Sequence, residues 1–230
     1  MIITSVRKKC THVKSTDVNE VNPINYTCNV NDINNVYDIY IDNSYSFSVN
    51  EEDYFKLSLY EQREMSQEEL DMIKKAANFT MAKTRALVYL SFKIRTAKEI
   101  ENKLLKEGYN FDTTTKVIKD LISDGYINDM LYVRKFIYDR NKLNPKSKKM
   151  LVYELKNKGI DDDLIAEGLT ELKVDNILVA KDLILKKYKN LDISDVKVKR
   201  KIFLFLKYRG FNESEIKSAI NEIASYIEDI

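Results

Sequence analysis

Histidine occurs once and cysteine twice in the 230 residues, too few of the side chains that hold transition metals or relay protons to a nucleophile. His12 sits in a polar, asparagine-rich stretch and reads as an exposed surface residue. Cys10 and Cys28 form no CxxC pair and read first as two reduced thiols, with a disulfide between them as the lesser alternative. No GxxxxGKS/T, GxGxxG or HExxH occurs, which removes the common phosphate-binding, dinucleotide-binding and zinc-protease signatures. The carboxylate pairs Glu68-Glu69 and Asp162-Asp163 fall at expected helix starts, where acids complement the macrodipole. No enzyme, metal or cofactor is expected. No apolar run approaches the roughly 18 residues of a membrane span, and the stretch from Met1 to Lys9 lacks a signal-peptide core. A cytoplasmic protein with no membrane partner is therefore expected. Five glycines and two prolines leave few breakers, which favours a mostly helical chain.

Against this background three phrases stand out: Leu104-Leu105-Lys106-Glu107-Gly108-Tyr109, Leu155-Lys156-Asn157-Lys158-Gly159-Ile160 and Leu206-Lys207-Tyr208-Arg209-Gly210-Phe211. Their glycines are 51 residues apart, and so are Ile100, Leu151 and Ile202 four residues before each leading leucine. This is an internal repeat. An apolar stripe at i and i+4 that stops at glycine describes a helix end, with Gly108, Gly159 and Gly210 as left-handed caps. The apolar residue after each glycine is expected to fold back on the last turn.

Ahead of the repeats, Tyr37, Ile39 and Ile41 alternate with polar residues, as do Tyr45, Phe47 and Val49. The two runs read as a hairpin turning at Asp42-Asn43-Ser44. A lone hairpin is marginal, so Ile2 to Val6 is the expected third strand. Residues 10–35, with seven asparagines and Pro23, read as a long loop, with Tyr26 to Val30 as an alternative strand. Ser66-x-x-Glu69 opens a short helix that ends near residue 75.

The expected fold class is mainly α: three tandem three-helix repeats in an elongated, curved array, preceded by a small β-hairpin or β-sheet unit with a short helix. The expected domains are 1–75 for the β unit, then 76–127, 128–174 and 175–230 for the repeats. Helices are expected near 79–93, 97–107 and 113–123, then 130–142, 145–158 and 162–172, then 176–188, 195–209 and 213–228. Thr96-x-x-Glu99 caps the second of these, and Pro145 is placed at the first helical position of the fifth.

Residues 1–75 carry 8 basic and 13 acidic side chains, net −5, while the remainder has net +7. Lys98, Lys149 and Arg200 again differ by 51 and should emerge at equivalent points of the three second helices. A lysine on a helix is ordinarily a solvated surface charge; the threefold repetition points to a basic stripe. The third helices of the second and third repeats carry Asp162, Asp163, Glu167, Glu171, Glu213, Glu215 and Glu222, which argues against either one being a recognition helix lying among DNA phosphates.

The motifs Arg95-Thr96-x-x-Glu99-Ile100, Gly125-Tyr126-Ile127-Asn128-Asp129, Tyr132-Val133-x-x-Phe136-Ile137-x-x-Arg140, Glu154-Leu155-x-x-Lys158-Gly159-Ile160 and Arg209-Gly210-Phe211 together resemble the RecX regulatory proteins. The resemblance runs over essentially the whole chain. Four features depart from the pattern: the 10–35 insertion, Gln62 and Asn144 where glycine is common, and Val133 in place of a small residue. A monomer is expected, because the sequence has no heptad pattern or large exposed apolar helix to drive assembly. The resemblance implies a non-enzymatic protein that binds the RecA recombinase filament on single-stranded DNA. There it would modulate, chiefly by inhibition, recombination and ATP hydrolysis, and so DNA repair and the SOS response. Single-stranded DNA is a further candidate partner. Expected contact residues are Arg95, Lys98, Arg134, Arg140, Lys146, Lys149, Lys197, Arg200 and Arg209. The rival reading is a helical module that binds DNA directly through basic residues of the first and second helices.

Overall fold

The computed structural model describes residues 2–9, 35–61, 64–188, 193 and 195–228. The 10–34 segment, with its alternative strand at Tyr26 to Val30, and the departure at Gln62 lie outside them. Two compact units are distinguished: Met1–Phe92 with Glu101–Ser123, and Lys93–Ile100 with Asp124–Ile230.

In the first unit, strands β1 (Ile3–Lys9), β2 (Val36–Ile41) and β3 (Ser44–Asn50) form an antiparallel sheet in that order. Asp42 and Asn43 both take positive φ, +47° and +65°, the requirement of a tight hairpin turn whose twist matches the strands. Alternation places Ile39, Ile41, Phe47 and Val49 in one core with Ile3, Leu59, Met65, Leu70, Ile73 and Ala77. A short helix not anticipated from the pattern, α1 (Glu51–Lys56), follows β3, capped by Asn50, whose side chain accepts the Asp53 N–H at 2.7 Å.

Ser66 caps the next helix as expected, its hydroxyl accepting the Glu69 N–H at 3.1 Å. The helix does not stop near residue 75. It runs unbroken as α2 (Gln67–Ser91), so the expected pair of helices is one. No glycine or proline interrupts Lys75-Ala76-Ala77-Asn78, and alanine is the best helix former. Leu70, Ile73 and Ala77 complete the sheet core at one end of this helix, and Ala82 and Ala86 are fully buried further along. Helix α4 (Phe111–Ser123) packs on α2, with Lys83 and Asp120 paired at 2.5 Å.

Between them lies α3 (Ala97–Lys106), whose first turn belongs to the second unit. The second unit continues with α5 (Asp129–Leu143), α6 (Lys148–Lys156) and α7 (Asp162–Glu171), packed through Val133, Ile137, Leu151, Leu155, Ile160 and Ile165. Then come α8 (Asn176–Tyr188), α9 (Val196–Tyr208) and α10 (Glu213–Glu228), around Ile184, Ile202, Leu206, Phe211 and Ile216. The protein is mainly α, with three-helix repeats after a small three-stranded sheet.

The repeat is exact in its core. Ile100, Leu151, Ile202, Leu104, Leu155 and Leu206 all have 0% exposure. Gly108, Gly159 and Gly210 have φ of +95°, +75° and +89°. Each forms a Schellman cap: the glycine N–H donates to Leu105, Lys156 or Lys207, and the next N–H donates to Leu104, Leu155 or Leu206. One boundary differs. Helix α6 begins at Lys148, not Pro145, because Ser147 is its N-cap and accepts the Met150 N–H at 3.3 Å. Ser147 lies 51 residues after Thr96, whose hydroxyl caps α3 by accepting the Glu99 N–H at 3.1 Å.

Candidate functional site

Within the second unit, the start of one second helix meets the end of the next. At the first joint the Thr96 hydroxyl donates to the Lys158 carbonyl at 2.7 Å, and Lys158 Nζ donates to Glu99 Oε1 at 2.8 Å. The Ala97 N–H donates to Asp129 Oδ1 at 3.0 Å. Lys98 crosses Gly159 so closely that a Cβ on the glycine would lie 2.3 Å from Lys98 Cβ. The second joint repeats this 51 residues on. There the Ser147 N–H donates to the Arg209 carbonyl at 3.2 Å, and Arg209 Nη1 donates to Asn144 Oδ1 at 2.8 Å and to the Pro145 carbonyl at 2.6 Å. A Cβ on Gly210 would lie 2.7 Å from Ser147 Oγ. The glycines thus serve as caps and also as contact points between repeats.

The first joint concentrates charge in partly buried surroundings. Burial pushes the Glu99 carboxyl up, but the hydrogen bond and charge of Lys158, the Thr96 N–H and the Arg95 charge together outweigh it and hold the group below its ordinary 4.5. Lys158 is raised, first by its hydrogen bond to Glu99. Asp129 is raised above 3.8 by burial, against the Ala97 hydrogen bond and with help from the charges of Asp161 and Glu99. A carboxylate held below its unfolded value binds fewer protons when folded. The stability from Glu99 is therefore fully present above about 4.5 and lost as pH falls through the lowered value. Asp129 acts in the opposite sense, so stability falls as pH rises from 3.8 through its raised value. In Glu99→Gln, NMR titration should find the Asp129 pKa displaced downward, and acid unfolding should lose the Glu99 contribution. An unmoved Asp129 would break the assigned coupling.

The residues singled out from sequence divide into two groups. Lys98, Lys149, Lys197 and Arg200 are exposed near the starts of α3, α6 and α9, Lys98 with the base of its side chain against Gly159 in the first joint. The others are built into the fold. Arg134 Nε pairs with Glu171 at 2.8 Å. Arg140 Nε lies 3.0 Å from Glu154 and the guanidinium 5.0 Å from the Phe136 ring centroid, and Lys146 takes the other oxygen of the same carboxylate. Arg95 is half-buried and acts on Glu99 and Tyr132, while Arg209 is the clasp of the second joint. Two features escaped the sequence reading. One is Glu154 as the shared anchor of two cations, which pattern alone does not reveal because the cations come from another helix and a loop. The other is a groove lined by Lys149, Met150, Tyr153, Lys207, Gly210 and Phe211. Lys149, Gly210 and Phe211 all sit in or beside the repeat phrases, a signal that could have located it.

The fold and joints define the class: proteins assembled from tandem three-helix repeats whose second helices interlock cap to cap. Family models for the first and second three-helix domains of RecX match residues 82–121 and 128–169. A regulatory protein RecX from Clostridium acetobutylicum is 33% identical over 193 residues, covering 81% of this chain and 89% of the relative. One from Bacillus subtilis is 29% identical over 191 residues, covering 81% and 72%. Among solved structures, a regulatory protein RecX aligns with TM-score 0.59 at 26% identity, over 79% of this chain and 91% of that one. RecX from Lactobacillus salivarius aligns with TM-score 0.55 at 28% identity, over 65% and 98%. The chain belongs to the RecX family of regulatory proteins. Among the described residues, no helix is long and apolar enough to cross a membrane.

Proposed function

We propose that this protein is a non-enzymatic regulator that binds the RecA filament on single-stranded DNA and inhibits its recombinase and ATPase activities, acting as a cytoplasmic monomer without a cofactor. Membership of the RecX family carries this reading. The repeated exposed charges Lys98, Lys149 and Arg200 support it, because a filament presents the same protomer surface at regular intervals. Small modules in series can engage neighbouring protomers and combine modest contacts through high effective concentration. Arg134, Arg140, Lys146 and Arg209 would act indirectly, by holding those modules in register; Lys197 would extend the stripe on α9.

The direct test is a RecA-catalysed, DNA-dependent ATPase assay with the purified protein, in which turnover should fall as the protein is added. The triple variant Lys98→Glu, Lys149→Glu, Arg200→Glu should bind filaments at least tenfold more weakly with an unchanged helical circular-dichroism signal. Wild-type affinity in that variant would remove the stripe from the interface.

A second reading, direct binding of nucleic acid, is favoured by the groove beside Gly210, where Lys149 and Lys207 flank the exposed ring of Tyr153. Cation and ring are the elements of a single-strand platform. Comparing naked with RecA-coated single strands separates the two readings. Affinity for naked strands should fall log-linearly with salt as counterions are released.

A further inference from the structure

We infer that the end of α3, at Glu107-Gly108, is an open docking socket for the start of a helix in a protein partner, one with a serine or threonine N-cap and a basic side chain in its first turn. Gly108, Gly159 and Gly210 are equivalent caps, yet their surroundings differ. The sockets at Gly159 and Gly210 are filled by the starts of α3 and α6. At Gly108, among the described residues, nothing lies within 4 Å of the position a Cβ would take.

The two filled sockets state what fits. The carbonyl before the glycine, of Lys158 or Arg209, accepts a hydrogen bond from a hydroxyl-bearing N-cap residue: the side chain of Thr96 or the N–H of Ser147. The side chain of that same residue then reaches acceptors on the incoming segment: Glu99 for Lys158, and Asn144 with Pro145 for Arg209. At the open socket this position is Glu107, which pairs with Lys103 of its own helix at 2.8 Å. The sign is reversed, so the complementary first turn is basic.

A second copy of this chain does not meet the requirement. Among the described helix starts, hydroxyl N-caps occur at Ser66, Thr96 and Ser147. Thr96 and Ser147 are engaged in the internal joints, and Ser66 is followed by Glu68 and Glu69, which Glu107 would repel. Among the described residues the third repeat offers no hydroxyl cap either, because α9 is capped by the Asp195 carboxylate, which accepts the Lys197 N–H at 2.8 Å. The residue 51 after Ser147 is Val198, which lies inside α9 and is 8% exposed.

The inference rests on the filament reading above, and its test separates the two. Filaments of RecA on labelled oligothymidylate would be titrated with the full-length protein, with Gly108→Asn and with Glu107→Arg. Asparagine tolerates the left-handed backbone and fills the socket, whereas arginine reverses the charge that meets the incoming turn. Both variants are expected to keep wild-type helicity and to bind at least tenfold more weakly. If either binds like the wild type, the socket is overturned and the filament reading stands. Failure of the wild type itself to bind would overturn both.

Discussion

Replacing Gly159 by alanine is expected to lower stability by about 2–5 kcal/mol, whereas the same change at Gly108 should cost only about 1–2 kcal/mol. The two glycines share sequence context and backbone, with φ of +75° and +95°, so the left-handed penalty of a Cβ is common to both. What differs is the space. At Gly159 the new methyl would meet Lys98 Cβ at 2.3 Å and Cγ at 2.4 Å, the base of a side chain on the first turn of α3, which is itself fixed by Thr96 and Ala97. Those atoms cannot swing aside as a lysine tip can, so the joint must open and strain the Thr96–Lys158 hydrogen bond. Urea unfolding of the two variants measures the difference. Equal losses would mean that the close approach at Gly159 is relieved without cost.

Phe211→Ala is expected to cost about 3–5 kcal/mol, the range for deleting a well-packed aromatic side chain. Phe211 is 1% exposed and stands in the core of the last three helices with Leu206 and Ile216. It also directly follows the cap, its N–H donating to the Leu206 carbonyl at 3.2 Å. Its removal therefore empties a core and loosens the helix end that carries Arg209. Because Arg209 holds Asn144 and Pro145, hydrogen exchange should rise at Ser147 as well as in α8 to α10. Faster exchange confined to the third repeat would show that the second joint transmits no stability.

Much of this architecture was legible because helix ends leave local signatures. The glycine caps, the stripes through Ile100, Leu151 and Ile202, the hairpin at Asp42-Asn43 and the spans of α8 and α10 all follow from spacing and residue type. The failures are equally specific. Pro145 reads as a helix start only when the hydroxyl of Ser147 is overlooked, and carrying Thr96 forward by 51 residues would have found it. The division of α2 near residue 75 assumed a boundary where the chain has no breaker. Of the proposed contact residues, spacing identified the exposed Lys98, Lys149 and Arg200. It could not show that Arg134, Arg140, Lys146 and Arg209 are held by Glu171, Glu154, Asn144 and Pro145, since those partners come from other elements.

Gly168 shows the same divide. It sits in the middle of α7, where glycine is a poor choice, and nothing adjacent explains it. In the fold, a Cβ there would lie 2.4 Å from Val133 Cγ1 on α5. Val133 occupies the space a side chain would need. By itself the sequence determined the glycine caps, the apolar stripes that lead to them and the threefold repetition, because these depend on hydrogen bonds and apolar spacing within a few residues. Tertiary structure alone decided which of the three repeat caps are covered and which cations are paired, because those outcomes depend on the distance of closest approach between segments remote in sequence.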